Sequence, residues 1–286
     1  MPPAPATVDE LLADARRRLA AAIQPSRREA ALLLGHVLGL GEAQILARGE
    51  RQVDAAHADR FGALLERRLA GEPFAYLVGE REFYGRSFFV DPRVLIPRPE
   101  TEHLVDAALE LSSAGELPAR PRVLDLGTGS GCLAITLALE LDGFAVAADL
   151  SPAALAVARA NAGRHGAADR VALAASDLTT GLTVNGFDLV VSNPPYVEAD
   201  EAATISPEIL DHEPQAALFP PGGGRIFFER LFAGLEGLRP GARVLVEIGY
   251  RQGPMVAALL QESAFELVAI RPDYAGHDRV VSARRR

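Results

Sequence analysis

The chain of 286 residues contains no lysine and only one cysteine, Cys132. Without lysine there is no Gly-Lys-Ser/Thr to close a phosphate-binding P-loop, so that class of nucleotide site is excluded. A lone cysteine excludes an intrachain disulfide, and the six histidines show no metal-ligand spacing with it. Cys132 is expected to pack as a small apolar side chain in a helix. No apolar run approaches the ~20 residues of a membrane span. The N-terminus carries Asp9 and Glu10 and no uninterrupted apolar core, so no signal peptide is evident. The expectation is a soluble, cytoplasmic protein that does not act at a membrane.

Positive charge is carried entirely by arginine, which fits a G+C-rich genome better than an RNA-binding role. The net charge is −9, unhelpful for holding a phosphate backbone. The imbalance is uneven. Residues 1–75 hold ten Arg against ten Asp plus Glu, and residues 76–286 hold nineteen against twenty-eight, which supplies the whole excess. At roughly 150 residues per domain the length suggests two domains.

Residues 1–75 read as a small all-helical domain. Thr7-Val8-Asp9-Glu10 is a capping-box pattern, followed at helical spacing by Leu11, Leu12, Ala15, Leu19 and Ala22. Ser26 to Glu29 repeats the signal before Ala30–Leu38. Further helices are expected over 42–48 and 55–70, the second closed by Gly71. Residues 76–92 alternate and are rich in aromatics, which predicts a β-hairpin turning near Gly85 and joining the domains. Pro97 and Pro99 hold the next stretch extended, and Thr101 is positioned to cap a helix from Glu102 to Leu111. Spacing leaves open whether Arg98 and Glu100 are ion-paired or face a site.

Residues 93–286 alternate strand and helix in the manner of a doubly wound parallel sheet. Helices are expected near 132–141, 152–165, 226–238 and 253–262. The last strands, near 265–270 and 279–283, lie close enough to form an edge hairpin. The chemistry gathers at four strand ends. Val123 to Leu126 runs into the glycine turn Gly127-Thr128-Gly129-Ser130-Gly131, where a backbone approaches a ligand closely. The next strand ends at Asp149, placed to accept from ribose hydroxyls. The third ends near Asp177, placed to accept from an adenine amine. The fourth, Phe187 to Ser192, ends in Asn193-Pro194-Pro195-Tyr196. There the prolines fix φ and remove two donors, leaving carbonyls free to accept. With the Asn193 side chain and the Tyr196 ring they form a cup for a planar nitrogen donor, an amide or an exocyclic amine; a plain Pro-Pro turn is the alternative. Gly129 to Ala134 also fits the dinucleotide pattern G-x-G-x-x-A with Asp149 about 20 residues on, but that reading leaves Asp177 and Asn193 without a role.

Together the glycine turn, Asp149, Asp177 and Asn-Pro-Pro-Tyr resemble class I S-adenosylmethionine-dependent methyltransferases that modify nitrogen. More narrowly, nearly the whole chain resembles the family that methylates the N5 of a glutamine in bacterial peptide chain release factors. The stretches carrying this are Gly71–Gly79, Glu82-Phe83-Tyr84-Gly85, Leu95–Glu102, Glu213-Pro214, Glu247-Ile248-Gly249 and Asp273–Arg279. The resemblance implies an α/β, Rossmann-like methyltransferase sheet over 93–286, with a helical substrate-recognition domain over 1–75 joined by the hairpin. It implies S-adenosylmethionine as cofactor, held by Gly127, Thr128, Gly129, Ser130, Gly131, Asp149, Asp177, Leu178 and Asn193. It assigns catalysis to Asn193, Pro194, Pro195 and Tyr196, and a class 1 release factor as the protein partner of a monomeric enzyme with no metal and no direct nucleic-acid contact. A ribosomal glutamine, a nucleobase, or a non-catalytic binding role are the other readings. Residues 197–224 form a long loop placed as a substrate lid. Phe219-Pro220-Pro221-Gly222-Gly223-Gly224 departs from the family, in which an acidic glycine turn is expected there.

Overall fold

The computed structural model describes residues 6–20 and 26–286. The described chain divides into two units. The first comprises residues up to Gly79 and the segment Pro207–His212. Its helices are α1 (Val8–Ala20), α2 (Ser26–Leu38), α3 (Glu42–Leu46), α4 (Ala55–Leu69), α5 (Phe74–Val78) and the returning α9 (Pro207–His212). The capping box at Thr7 forms as the spacing requires. The Thr7 amide donates to Glu10 at 2.8 Å, and the Glu10 amide to the Thr7 hydroxyl at 3.3 Å. Leu12, Ala15 and Leu19 then turn inward against Leu33, Leu34, Phe61 and Leu65. Ala22 and the side chain of Ser26 lie outside the described residues. Asp54 caps α4 through the amide of His57. A buried arginine, Arg68, donates to Glu29 on α2 at 2.9 Å and to Glu208 on α9 at 3.0 Å.

The second unit takes up Glu80–Ser206 and Glu213–Arg286. It opens with the hairpin β1 (Glu80–Phe83) and β2 (Arg86–Phe89), turning at Tyr84 and Gly85, both at positive φ. Residues 76–78, read from sequence as part of this hairpin, complete α5 instead. The hairpin belongs to the second unit. Phe88 is buried against His165, and the buried Asn161 accepts from the Phe89 amide at 2.7 Å.

The main sheet has seven strands: β3 (Arg122–Leu126), β4 (Phe144–Asp149), β5 (Val171–Ala175), β6 (Leu189–Ser192), β7 (Arg243–Glu247), β8 (Phe265–Pro272) and β9 (Asp278–Arg285). Their order is β5-β4-β3-β6-β7-β9-β8. The first five lie parallel; β9 runs antiparallel to both β7 and β8. The edge hairpin expected from sequence forms, with the later strand placed inside the earlier one. Strands β6 and β7 are buried along their whole length, as expected of strands covered on both faces. The helices α6 (Glu102–Ser113), α7 (Cys132–Glu140), α8 (Pro152–Arg164), α11 (Gly224–Gly234) and α12 (Gly253–Gln261) accompany the sheet. Cys132 is buried in α7 among Leu133, Ile135 and Leu137, and burial pushes its thiol up to about 12. The stretch 197–224 is not one open loop. It holds a 3-10 turn at Ala199–Thr204, α9, and α10 (Gln215–Leu218).

Candidate functional site

Because β5, β4, β3 and β6 are adjacent and parallel, their C-terminal ends stand side by side at one edge of the sheet. This is where ligands bind in open α/β sheets. The register pairs Leu126 with Ala148 and with Ser192, and Asp149 with Ala175. The glycine turn, Asp149, the Ser176–Leu178 segment and Asn193 therefore line a single rim.

The turn's residues divide into two sorts. Gly127 and Gly129 are the accessible ones, at φ +76° and +54°; a Cβ on Gly129 would meet nothing within 4 Å. Thr128, Ser130 and Gly131 face inward. The Thr128 hydroxyl donates to Asp125 at 2.6 Å. A Cβ on Gly131 would stand 3.1 Å from that of Ala158, so this glycine lets α7 and α8 approach. Asp125 is fully buried and accepts from the Ala134 amide at 3.1 Å; its Oδ1 is without a partner. Burial pushes its carboxyl up to about 7, against the opposing hydrogen bonds from Thr128 and Ala134.

Asp149 accepts from the Gly129 amide at 2.9 Å and from the Ser151 amide at 2.8 Å. Each oxygen retains acceptor capacity, so the acid shapes the turn and still suits a pair of hydroxyl donors. Open backbone at Gly127 and Gly129 beside such an acid fits an adenosyl cofactor. Asp177 is more committed than its position in the sequence indicates: it is exposed and ion-paired with Arg230 of α11 at 2.7 Å. Beside it Leu178 takes φ +52°, and the Ser176 hydroxyl donates to its carbonyl at 2.8 Å.

At the end of β6 the Asn193 side-chain amide donates to the Thr101 hydroxyl at 2.9 Å. Thr101 in turn donates to Glu247 at 2.7 Å, at the end of β7. Tyr196 donates to the other Glu247 oxygen at 3.2 Å, and its backbone carbonyl accepts from Gln252 at 3.0 Å. Among the described residues no hydrogen bond is made to Asn193 Oδ1 or to the Pro194 carbonyl. Glu247 is fully buried, which pushes its carboxyl up to about 7 despite the Thr101 hydrogen bond and the nearby Arg279. Burial followed by the Glu247 charge raises the Tyr196 phenol, which therefore remains a donor.

Thr101 does not cap α6 with its side chain, contrary to the sequence expectation, because its hydroxyl is engaged by Glu247 and Asn193. Arg98 is ion-paired: it donates to Glu213 at 2.6 Å, and Glu213 also accepts from the Ile96 amide at 3.1 Å. Glu100 is exposed. Sequence reasoning missed Thr101, Glu247 and Gln252 as parts of the site. Signals were available for two of them: both Thr101 and Glu247 fall in stretches that carry the family resemblance, and Glu247 is a polar residue at the end of a strand.

The fold is that of a class I methyltransferase, and the glycine turn, Asp149 and Asn-Pro-Pro-Tyr stand together at one rim of its sheet. Two family descriptions match the chain: the PrmC N-terminal domain over residues 10–79 and the methyltransferase small domain over residues 105–230. The release factor glutamine methyltransferase of Nitratidesulfovibrio vulgaris is 44% identical over 286 residues, spanning 98% of this chain and 96% of that protein. That of Cereibacter sphaeroides is 43% identical over 278 residues, with 96% and 97% spanned. This chain belongs to the release factor glutamine methyltransferase family. Among solved structures the hMettl16 catalytic domain, determined with the MAT2A 3'UTR hairpin 6, is similar in fold, with a TM-score of 0.57 at 16% identity over 81% of this chain and 82% of that one.

Proposed function

We propose that this chain transfers a methyl group from S-adenosylmethionine to the side-chain amide nitrogen of a glutamine in a peptide chain release factor, in the cytoplasm where translation terminates. The observation that carries this reading is the state of the Asn193 amide. Its NH₂ end is held by Thr101, which leaves Oδ1 and the neighbouring Pro194 carbonyl as two acceptors. A primary amide has two N–H donors, and this pair matches them.

The bound cofactor supplies an electrophilic methyl group. The chain must supply position, because an amide nitrogen is a poor nucleophile whose lone pair is delocalised into its carbonyl. Two acceptors that fix the N–H groups aim the nitrogen, and orientation of this kind contributes several kcal/mol. As the nitrogen gains positive charge, the hydrogen bonds to Oδ1 and to Pro194 strengthen, which favours the transition state over the ground state. Pro195 adds rigidity to the turn. Tyr196, tied at its hydroxyl by Glu247 and at its carbonyl by Gln252, offers a fixed ring beside the amide. Gly127, Gly129 and Asp149 are the residues suited to hold the cofactor, with Leu178 and Asp177 at the next strand end. The amide proton becomes acidic once the methyl has transferred, and no dedicated base is assigned. Support for a protein substrate over nucleic acid comes from the net acidity of residues 76–286. The helical unit, charge-balanced and without a cofactor motif, is assigned to docking the release factor, and the parts of the 197–224 stretch that belong to the second unit, 197–206 and 213–224, to covering the bound glutamine.

The test is incubation with methyl-labelled cofactor and, separately, a release factor, ribosomal proteins and DNA, followed by mapping of the label. Label on a release factor glutamine is expected. Asn193→Ala should bind the cofactor as the parent does and transfer methyl about 10²-fold more slowly, the scale for loss of one preorganised group. Label found only on ribosomal protein or DNA, or near-parental turnover by the variant, would refute the reading.

A further inference from the structure

We infer that Thr101 and Glu247 are positioning residues that decide which end of the Asn193 carboxamide faces the substrate. The inference rests on the proposal that Asn193 accepts from a glutamine amide.

An asparagine side chain is nearly symmetric in shape but not in polarity: one end accepts, the other donates. Turned one way it receives an incoming N–H; turned the other way it presents its own N–H groups and opposes that donor. Something must set the orientation, and the hydrogen bonds form a chain that does so. Thr101 has a single hydroxyl proton, and it lies on the 2.7 Å contact to Glu247. An ionised carboxylate only accepts, so that proton is committed. The Thr101 oxygen can then only accept from Asn193, so the NH₂ end of the amide turns toward Thr101 at 2.9 Å. Oδ1 is left on the opposite side, as an acceptor. The order of donation, fixed at Glu247, is thus transmitted through one hydroxyl to a side chain that does not touch Glu247 in any described hydrogen bond.

The burial of both relays makes the arrangement specific. Thr101 is 2% exposed and Glu247 is fully buried, so water does not compete for either. The second oxygen of Glu247 is occupied by the Tyr196 hydroxyl, also as a donor. The charged groups acting on Glu247 are Arg279, which favours ionisation, and Glu100, which opposes it. Arg279 is itself paired with Asp273 at 3.0 Å. Burial holds the Glu247 carboxyl at about 7, so acid places a proton on it near neutrality. With that proton on the oxygen facing Thr101, Glu247 donates to Thr101, frees the Thr101 proton for Asn193 Oδ1, and reverses the orientation.

The experiment compares Thr101→Val, which keeps shape and removes the hydroxyl, with Thr101→Ser, Glu247→Gln, the Thr101→Val/Glu247→Gln pair and Asn193→Ala. The readouts are kcat and KM on intact release factor, the pH profile of kcat, and cofactor affinity by calorimetry. Thr101→Val should lower kcat about 10-fold, the equivalent of about 1.4 kcal/mol and of one lost hydrogen bond, with cofactor affinity unchanged. Thr101→Ser should recover most of that loss. Glu247→Gln, which can donate at every pH, should lose kcat similarly and lack the acid limb near pH ~7 that the parent shows. The double variant should be no worse than either single one, as for residues acting in series. Parental kcat in Thr101→Val, with Asn193→Ala still impaired, overturns the relay and leaves the acceptor role of Asn193 standing. Parental kcat in Asn193→Ala removes both. If Thr101→Val does not fold, Glu247→Gln decides: parental kcat in that variant overturns the relay, and a lowered kcat with cofactor affinity unchanged supports it.

Discussion

Asp125→Asn should make the protein's stability less sensitive to pH, and the size of the effect follows from the site. Asp125 sits at the end of β3, fully buried, with its pKa moved from 3.8 to about 7 by burial. A carboxyl with a raised folded-state pKa binds more protons folded than unfolded between those values. Stability therefore falls as pH rises through that window. Linkage with these two pKa values gives an added loss of about 2–3 kcal/mol between pH about 5 and about 8. Asparagine does not titrate. It keeps an oxygen for the Thr128 hydroxyl and the Ala134 amide, and puts an NH₂ where Oδ1 has no partner, a cost that does not vary with pH. Other titrating groups, Glu247 among them, cancel in the comparison of variant with parent. For a domain of this size 1 kcal/mol corresponds to roughly 2–4 °C in Tm, so the Tm difference should shift in the variant's favour by roughly 5–10 °C across that range. Far-ultraviolet circular dichroism melts at closely spaced pH values measure it. A Tm difference that stays constant with pH would mean Asp125 is ionised throughout, and the reasoning from burial would be wrong.

Gly129 and Gly131 of the turn should separate by function. Gly129→Ala, with open space around its Cβ but φ at +54°, should cost about 1–2 kcal/mol of stability and weaken cofactor binding measurably by calorimetry. Gly131→Ala, whose Cβ would stand 3.0–3.2 Å from Ile135 and Ala158, should cost about 2–4 kcal/mol from backbone and overpacking together; equal stability losses in the two variants would contradict this division. Asn161 joins α8 to the hairpin and the turn, bonding the Phe89 amide, the Phe89 carbonyl and the Ser130 carbonyl. Asn161→Ala leaves those groups unpaired and should cost about 3–5 kcal/mol in denaturant titrations, and a loss under about 1 kcal/mol would show that water replaces it freely.

The strand ends were legible because each is a short apolar run broken by one polar residue. A side chain such as Asp149 or Asn193 at the end of a strand buried on both faces has little place to go but the rim. Helix beginnings were legible where a cap and an apolar stripe agree, as at Thr7. The partners of those rim residues were not. Thr101 lies 92 positions from Asn193 and 146 from Glu247, and Ile96 lies 117 from Glu213. Local spacing carries no trace of contacts made across a sheet. Thr101 read as a cap because threonine before a helix usually is one, until a buried carboxylate competes for its hydroxyl. Asp177 read as a ligand acceptor because its pairing with Arg230 depends on how α11 packs. The helices inside 197–224 run only four to six residues, too short to show a period, and the prolines that begin them resemble loop punctuation.

The inward placement of β9 bears on synthesis. During translation β8 leaves the ribosome first, yet its place in the sheet is next to a strand that does not yet exist. The free edge of β7, which carries Glu247, is unpaired for the same interval. At ~5–20 residues per second the 13 positions from Pro272 to Arg285 take on the order of a second. Arg279, whose charge favours the ionised form of Glu247, arrives on that same strand. A growing chain thus holds the glycine turn, Asp149 and Asn193 before it holds the strand that closes the sheet between β7 and β8 and brings Arg279 to Glu247.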